Sequence, residues 1–138
     1  MVTVRDKVRF VETDMMGVVH HSNYFRWFEM GRVEYLRQAG VYLLDLMAAG
    51  VLFPITDVNC SYRASARFDD IIVVETTMAE LSKVKMVFTY RLVREEDGAL
   101  LATGRTQNAF TDEKGKVIRL PAAYFDRLQA MFATEAKA

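Results

Sequence analysis

The run Thr13-Asp14-Met15-Met16-Gly17-Val18-Val19-His20-His21-Ser22-Asn23-Tyr24-Phe25-Arg26-Trp27-Phe28-Glu29 sets an acid, a glycine turn and a helix start in close succession. A carboxylate fixed beside a helix N-terminus has unpaired backbone N–H donors next to it. Those are the paired requirements of acyl-transfer chemistry, in which one group attacks or activates water and the others hold the oxyanion. Taken alone, an aspartate before a glycine turn is more often a turn or cap residue. The elements around it decide which duty it can serve.

Val4 to Val11 reads as a strand with Val8 and Phe10 on one side and Lys7 and Arg9 on the other, delivering Asp14 just past its end. From Asn23 to Gln38 the spacing is helical, and Tyr24, Trp27, Phe28, Gly31 and Tyr35 share one face. Gly31 at the centre of that face permits close approach to a sheet. Phe25, Met30, Val33 and Leu36 lie elsewhere on the helix, so burial on several sides, as a central helix, is expected. Gly40 fits a C-cap, and Val41 to Ala49 a shorter second helix before Gly50.

Strands follow. Phe53 to Tyr62 carries Val58, Cys60 and Tyr62 in phase, and Asp69-Asp70 turns into the β-rich run Ile71 to Thr77. Val84 to Val93 and Leu100 to Phe110 flank Glu96-Asp97-Gly98, a hairpin signal because Asp-Gly supplies the positive φ angles of a tight turn. Asp112 to Gly115 marks another turn, and Pro121 opens a terminal amphipathic helix with Tyr124, Phe125, Leu128 and Phe132 in its stripe. One long aromatic helix followed by about five mostly antiparallel strands is an α+β layout, with the sheet curling around the helix.

The 138 residues fit one domain, 1–138, and 51% hydrophobic with 26% charged residues is an ordinary globular composition. Eighteen basic residues balance eighteen acidic ones, which removes the electrostatic footprint of a general nucleic-acid binder. Any anionic partner must be met locally. Cys60 is the only cysteine, and Met-Val-Thr-Val-Arg-Asp-Lys has no apolar stretch resembling a signal peptide, so a reducing cytoplasm is the expectation. The longest apolar region, Ala39 to Ile55, is interrupted by Asp45 and Pro54 and falls short of the ~20 residues that cross a bilayer. It reads as core, with no integral membrane segment.

Asp14-x-x-Gly17-Val18-Val19-x-His21-x-Asn23-Tyr24, then Phe28-Glu29 and Glu34, resembles the signature of the hydroxybenzoyl-CoA thioesterase-like family of small acyl-CoA thioesterases. Val58-Asn59-Cys60-Ser61-Tyr62 before Phe68-Asp69-Asp70, and the segment Gly115 to Pro121, extend the likeness over nearly the whole chain. The resemblance implies a hot-dog fold, a homodimer or dimer-of-dimers tetramer whose sheets join edge to edge, and active sites at the dimer interface. It implies hydrolysis of an acyl-CoA to free acid and CoA, with no metal or redox cofactor. Asp14 then serves as nucleophile or general base, and the backbone N–H at the start of the long helix, matched by His21, polarises the thioester carbonyl. Gly17, Val19, Asn23 and Tyr24 fall at the substrate contacts. Because the N–H is the functional group, the His21 side chain is free to vary.

Simpler duties stand beside these. Asn23 suits an N-cap through its side-chain oxygen, Tyr24, Trp27 and Phe28 suit core or pocket wall, and Glu29 and Glu34 suit helix-surface or interface ion pairs. His20 and His21 are expected to diverge, and with no nearby Cys or HxxxH spacing they suggest no metal site. CoA phosphates need a local basic patch, for which Lys83 and Lys85 on one strand face are the first candidates, with Arg63 and Arg67 behind them. Met15-Met16 and His20 depart from commoner family forms, and two flexible apolar side chains beside Asp14 suit an adaptable acyl pocket. Two other functions fit the pattern less well: a noncatalytic acyl-CoA or lipid-binding module, and an enoyl-CoA hydratase, whose Asp and His usually fall in a differently spaced motif. A carrier-protein thioester is a further substrate within the same chemistry.

Overall fold

In the computed structural model, which describes residues 1–136, five antiparallel strands form one sheet against which a long helix packs. The strands are β1 (Val2–Lys7), β2 (Ile55–Tyr62), β3 (Ile71–Leu81), β4 (Lys85–Arg94) and β5 (Leu100–Ala109), in the order β1-β3-β4-β5-β2. The helices are α1 (Ser22–Gln38), α2 (Leu43–Ala48) and α3 (Ala122–Ala136). The α+β layout read from the sequence is the one observed.

Alternation fixes the inner face of the sheet. Ile72, Val74, Thr76 and Met78 are buried along β3 while their neighbours are partly open. The register aligns Thr76 with Tyr90, Tyr90 with Gly104 and Gly104 with Cys60, a cross-strand row on one face. Phe28 of α1 stacks on Tyr90 with centroids 4.4 Å apart, and a Cβ at Gly104 would fall 2.2 Å from the Phe28 Cζ. Gly31 meets the same row, for a Cβ there would lie 2.0 Å from Thr76 Oγ1. The whole face Tyr24, Trp27, Phe28, Gly31 and Tyr35 is buried.

Burial of α1 beyond that face is partial: Leu36 is buried and Met30 packs against the core. Phe25 is 37% exposed, and Arg26 and Glu29 beside it are open. The sheet covers only one face, and α3 meets the C-terminal half of α1, where Tyr35 Oη donates to Glu135 Oε2 at 3.0 Å. Both α1 and α2 close on a left-handed glycine. Gly40 and Gly50 take φ of +83° and +73°, and the Val41 and Val51 N–H groups donate back to the Leu36 and Leu46 carbonyls.

Three strands begin or end away from their expected bounds, β3 running on past Thr77 to Leu81. β1 stops at Lys7, and Phe10–Glu12 forms a 3-10 turn because the Arg9 N–H donates to Glu12 Oε1 at 2.7 Å; Phe10 and Val11 are consequently exposed. β2 starts at Ile55, since Pro54 has no N–H for the ladder. It is a sheet edge, and every residue in it except Cys60 is exposed.

Candidate active site

Asp14 to Gly17 close a tight turn. The Asp14 N–H donates to the Val18 carbonyl at 2.9 Å, the Gly17 N–H to the Asp14 carbonyl at 3.0 Å, and the Met16 N–H to Asp14 Oδ1 at 2.8 Å. Gly17 takes φ +78°, which a side chain would resist. Asp14 is exposed, and among the described residues Met16 is the one donor paired with its carboxylate.

Glu12 holds both ends of this loop, and sequence reasoning missed it. Its carboxylate is 2% exposed and accepts from the Arg9 N–H and from Arg26 Nη1 at 2.9 Å. Its carbonyl accepts the His20 N–H at 2.9 Å and Asn23 Nδ2 at 3.1 Å. Asn23 is therefore no N-cap: its amide nitrogen donates to the Glu12 and His20 carbonyls, and its oxygen accepts from Arg26. An acid three residues after an arginine, just past the end of β1, was the available signal. It needed the fold to give Arg26 its direction.

The N-cap position is His21, with helical φ −55° and ψ −29° and no side-chain cap bond. The Asn23 and Tyr24 N–H groups donate to the His20 and His21 carbonyls, and the Ser22 N–H to His20 Nδ1 at 3.3 Å. Among the described residues, the His21 N–H has no acceptor. The His20 and His21 rings do not diverge as expected: their centroids are 4.1 Å apart, because His20 Nδ1 turns back to Ser22 Oγ at 2.9 Å. No third ligating side chain joins them among the described residues.

A cleft of about 250 Å³ opens between this helix start and the end of β2. Val19, His21 and Tyr24 line it from the loop and helix, Tyr62 and Arg63 from β2 and its exit, and Ser65 from beyond. The Val19 N–H donates to the Ala66 carbonyl at 2.9 Å, and Val18 bridges Arg67, so loop 63–67 is the opposite wall. Asp70 and Arg94 brace that wall: Asp70 Oδ2 accepts from the Arg67 N–H and Arg94 Nε, and Arg94 Nη2 donates to the Ser65 carbonyl. Tyr62 Oη donates to the His21 carbonyl at 3.3 Å, and desolvation with Cys60 beside it pushes this phenol up to about 12. The hydroxyl stays protonated, hence a donor, through the neutral range.

The candidate residues thus divide. Val19, His21 and Tyr24 are in the cleft; Asp14 and Gly17 stand on the adjoining turn, next to the Thr13–Val19 bridge. Met15 and Met16 point out, at 105% and 81% exposed. Lys83 and Lys85 do not share a strand face, because Lys83 lies in the turn before β4 with its Nζ 6.0 Å from the Phe125 ring centre. Lys85 pairs with Glu80 at 3.5 Å. Through the register, Lys85 is level with Ala109 and Tyr62 with Ala102, so they are seven residues apart along β5, roughly 23 Å. Arg63, expected behind the lysines, instead lines the cleft itself.

A long helix seated against a five-stranded antiparallel sheet, with an acid turn at its head, is the hot-dog thioesterase arrangement. A sequence profile of the thioesterase-like superfamily matches residues 8–132, and the chain belongs to that superfamily. It is 34% identical over 94 residues to the acyl-CoA thioester hydrolase YbgC of Escherichia coli O6:H1, covering 68% of this chain and 70% of the relative. Among solved structures it resembles the hypothetical protein TT1821 of Thermus thermophilus, with a TM-score of 0.87, 40% identity, and 93% and 97% of the two chains covered. The DHNA-CoA thioesterase of Staphylococcus aureus superposes with a TM-score of 0.88 at 31% identity, covering 98% of this chain and 90% of the other. No helix among the described residues is long and apolar enough to cross a membrane.

Proposed function

We propose that the protein hydrolyses acyl-CoA thioesters to the free acid and CoA. The observation that carries this reading is that one short stretch presents two open groups: the exposed Asp14 carboxylate, paired among the described residues with the Met16 N–H alone, and the His21 N–H, which has no acceptor while the His20, Ser22, Asn23 and Tyr24 N–H groups around it are paired. The His21 N–H donates to the thioester carbonyl oxygen as charge builds on it, a donor worth about 2.7–4 kcal/mol in comparable sites. Asp14 either attacks the carbonyl carbon, giving a mixed anhydride that water opens, or takes a proton from the attacking water. In both routes CoA leaves as the thiol and one water is consumed. Gly17 shapes the turn, Val19 and Tyr24 wall the acyl entry, Asn23 holds the helix head, and no metal or redox cofactor takes part.

The working unit in this proposal is a homodimer joined through β2. An exposed edge strand with Ile55, Val58 and Tyr62 open, flanked by exposed Phe25, is a surface that invites strand pairing. Antiparallel pairing of two β2 edges about their middle sets the Tyr62 end of one strand beside the Ile55 end of the other. Because Ile55 pairs with Asn108 and Lys85 with Ala109, that brings Lys83 and Lys85 of the partner subunit to the Asp14 end, where CoA phosphates need cations. Arg63 is the cleft's own contribution. Dimer pairing of dimers, a carrier-protein thioester as substrate, and a cytoplasmic setting are compatible with the same geometry.

Thiol release from a panel of short-chain, long-chain and aromatic acyl-CoAs tests this reading, with sedimentation of wild type against Val58→Lys testing the dimer. Release from at least one member, and a dimer that Val58→Lys splits, are expected. Hydration of crotonyl-CoA without thiol release, or binding without turnover, contradicts hydrolysis.

A further inference from the structure

Tyr62 brings the open edge strand into contact with the backbone of the helix head. Its Oη lies 3.3 Å from the His21 carbonyl, which also accepts the Tyr24 N–H at 3.2 Å. We propose that Tyr62 is a positioning residue: by tying the His21 carbonyl to the sheet it fixes where the His21 backbone sits at the helix head, and with it the place of the N–H that the turn leaves without an acceptor. The inference rests on the proposed oxyanion role of that N–H.

Three observations support it. The clamps of the helix head from Glu12, Asn23 and the His20 ring hold the backbone on either side of His21, the His21 side chain makes no cap bond, and Tyr62 is the side chain that reaches the His21 carbonyl itself. The Tyr62 ring is itself held, edge-on to Tyr24 at 4.9 Å and to His21 at 6.5 Å, with its hydroxyl against the His21 carbonyl. The 3.3 Å contact is longer than the ~2.7–2.8 Å usual for O–H···O bonds. Hydrogen bonds of this kind tighten when the reacting group arrives, and tightening at the transition state raises kcat without changing ground-state binding. The Tyr24 N–H holds the same oxygen through the helix, whereas Tyr62 holds it from the sheet. The alignment of the oxyanion donor is thereby tied to the strand on which the proposed dimer closes.

Tyr62→Phe tests this, because it deletes the hydroxyl and keeps the ring contacts. Two readouts are needed: the ¹³C shift of the His21 carbonyl by NMR, and kcat and KM for thiol release, with Asp14→Asn alongside. The expected result is a moved His21 carbonyl and a kcat lowered about tenfold with KM within about twofold, the pattern of an interaction made in the transition state. An unmoved carbonyl with unchanged kcat, while Asp14→Asn is inactive, overturns the positioning role and leaves hydrolysis standing. Equal thiol release by wild type and Asp14→Asn removes the hydrolytic reading and the inference with it. A Tyr62→Leu variant separates ring from hydroxyl: KM that rises only in Tyr62→Leu is expected, and a KM rise in Tyr62→Phe of equal size contradicts positioning.

Discussion

The middle and the head of α1 belong to one helix yet live in opposite environments. Around Gly31 the helix is over-determined: the glycine touches Thr76, Phe28 stacks on Tyr90 and presses on Gly104, and Tyr35 is fully buried. At the head, His20, His21 and Ser22 are exposed, the N-cap residue His21 makes no side-chain cap bond, and its N–H has no acceptor among the described residues. The difference shows how a small domain presents unsatisfied groups without loosening. Packing in the middle fixes the axis, and a few polar clamps from Glu12, Asn23 and Tyr62 fix the head. Donors held ready in this way need no reorganisation when charge develops.

Substitutions at the two regions should separate activity from stability. The largest effect falls at the head: Asp14→Asn is expected to lower kcat at least about 100-fold, or about 2.7 kcal/mol of transition-state stabilisation. Its thermal midpoint should stay at the wild-type value, since Asn keeps the oxygen that accepts the Met16 N–H. Calorimetry checks the second half, and a large midpoint loss would mean that Asp14 is a turn residue first.

Gly31→Ala should do the reverse. Its Cβ meets Thr76 Oγ1 and Val74 Cγ1 at 2.0 and 3.1 Å, and relieving this by shifting the helix costs about 2 kcal/mol. Urea unfolding measures it, and wild-type stability would show that the helix approaches the sheet less closely. Glu12→Ala sharpens the comparison because it lies between the two regions. Losing the acceptor of the Arg9 N–H and the partner of Arg26 costs about 1–2 kcal/mol and loosens both ends of the Asp14 loop. A fall in both unfolding free energy and kcat is expected, and unchanged kcat would show that the loop holds itself.

The smallest effect lies on the outer side of α1. Hydrogen bonds from Arg37, then Gln38, bring the Glu34 pKa down to about 2. A lowered carboxyl pKa adds stability that is complete above the ordinary value of about 4.3 and is lost as pH falls from there towards about 2. The pair is solvent-accessible, so its worth is below about 1 kcal/mol. Glu34→Gln should flatten the acid limb of a stability–pH curve by that amount, and a change at neutral pH alone would contradict the linkage.

The middle of α1 was legible in the sequence because helical spacing alone put Gly31 at the centre of an apolar face. The hairpin at Gly98, with φ +71°, and the closing glycines were legible for the same reason: local backbone chemistry fixes them. The chain segments of the site were legible too, through the Asp14 to Tyr24 pattern. What escaped were residues whose meaning depends on distant partners. Phe10 and Val11 continue an alternation that the Glu12–Arg9 contact cuts short. Asn23 has cap chemistry, yet its oxygen is taken by Arg26 and its amide nitrogen by the Glu12 and His20 carbonyls. Lys83 and Lys85 look like strand neighbours until the turn at Ser82, whose hydroxyl accepts the Val84 and Lys85 N–H groups, removes Lys83 from the ladder. Tyr62 reads as one apolar residue in phase with others, and only the sheet order brings it to His21.

The central claim is that the exposed Asp14 carboxylate performs the chemistry at the head of α1. The most direct test is thiol release by wild type and Asp14→Asn under single-turnover conditions, with enzyme in excess over an acyl-CoA that the panel shows to be turned over. That arrangement removes product release from the observed rate. The account predicts a burst of one thiol per substrate in wild type and a rate at least about 100-fold slower in Asp14→Asn with binding retained. Equal rates in the two proteins would contradict it.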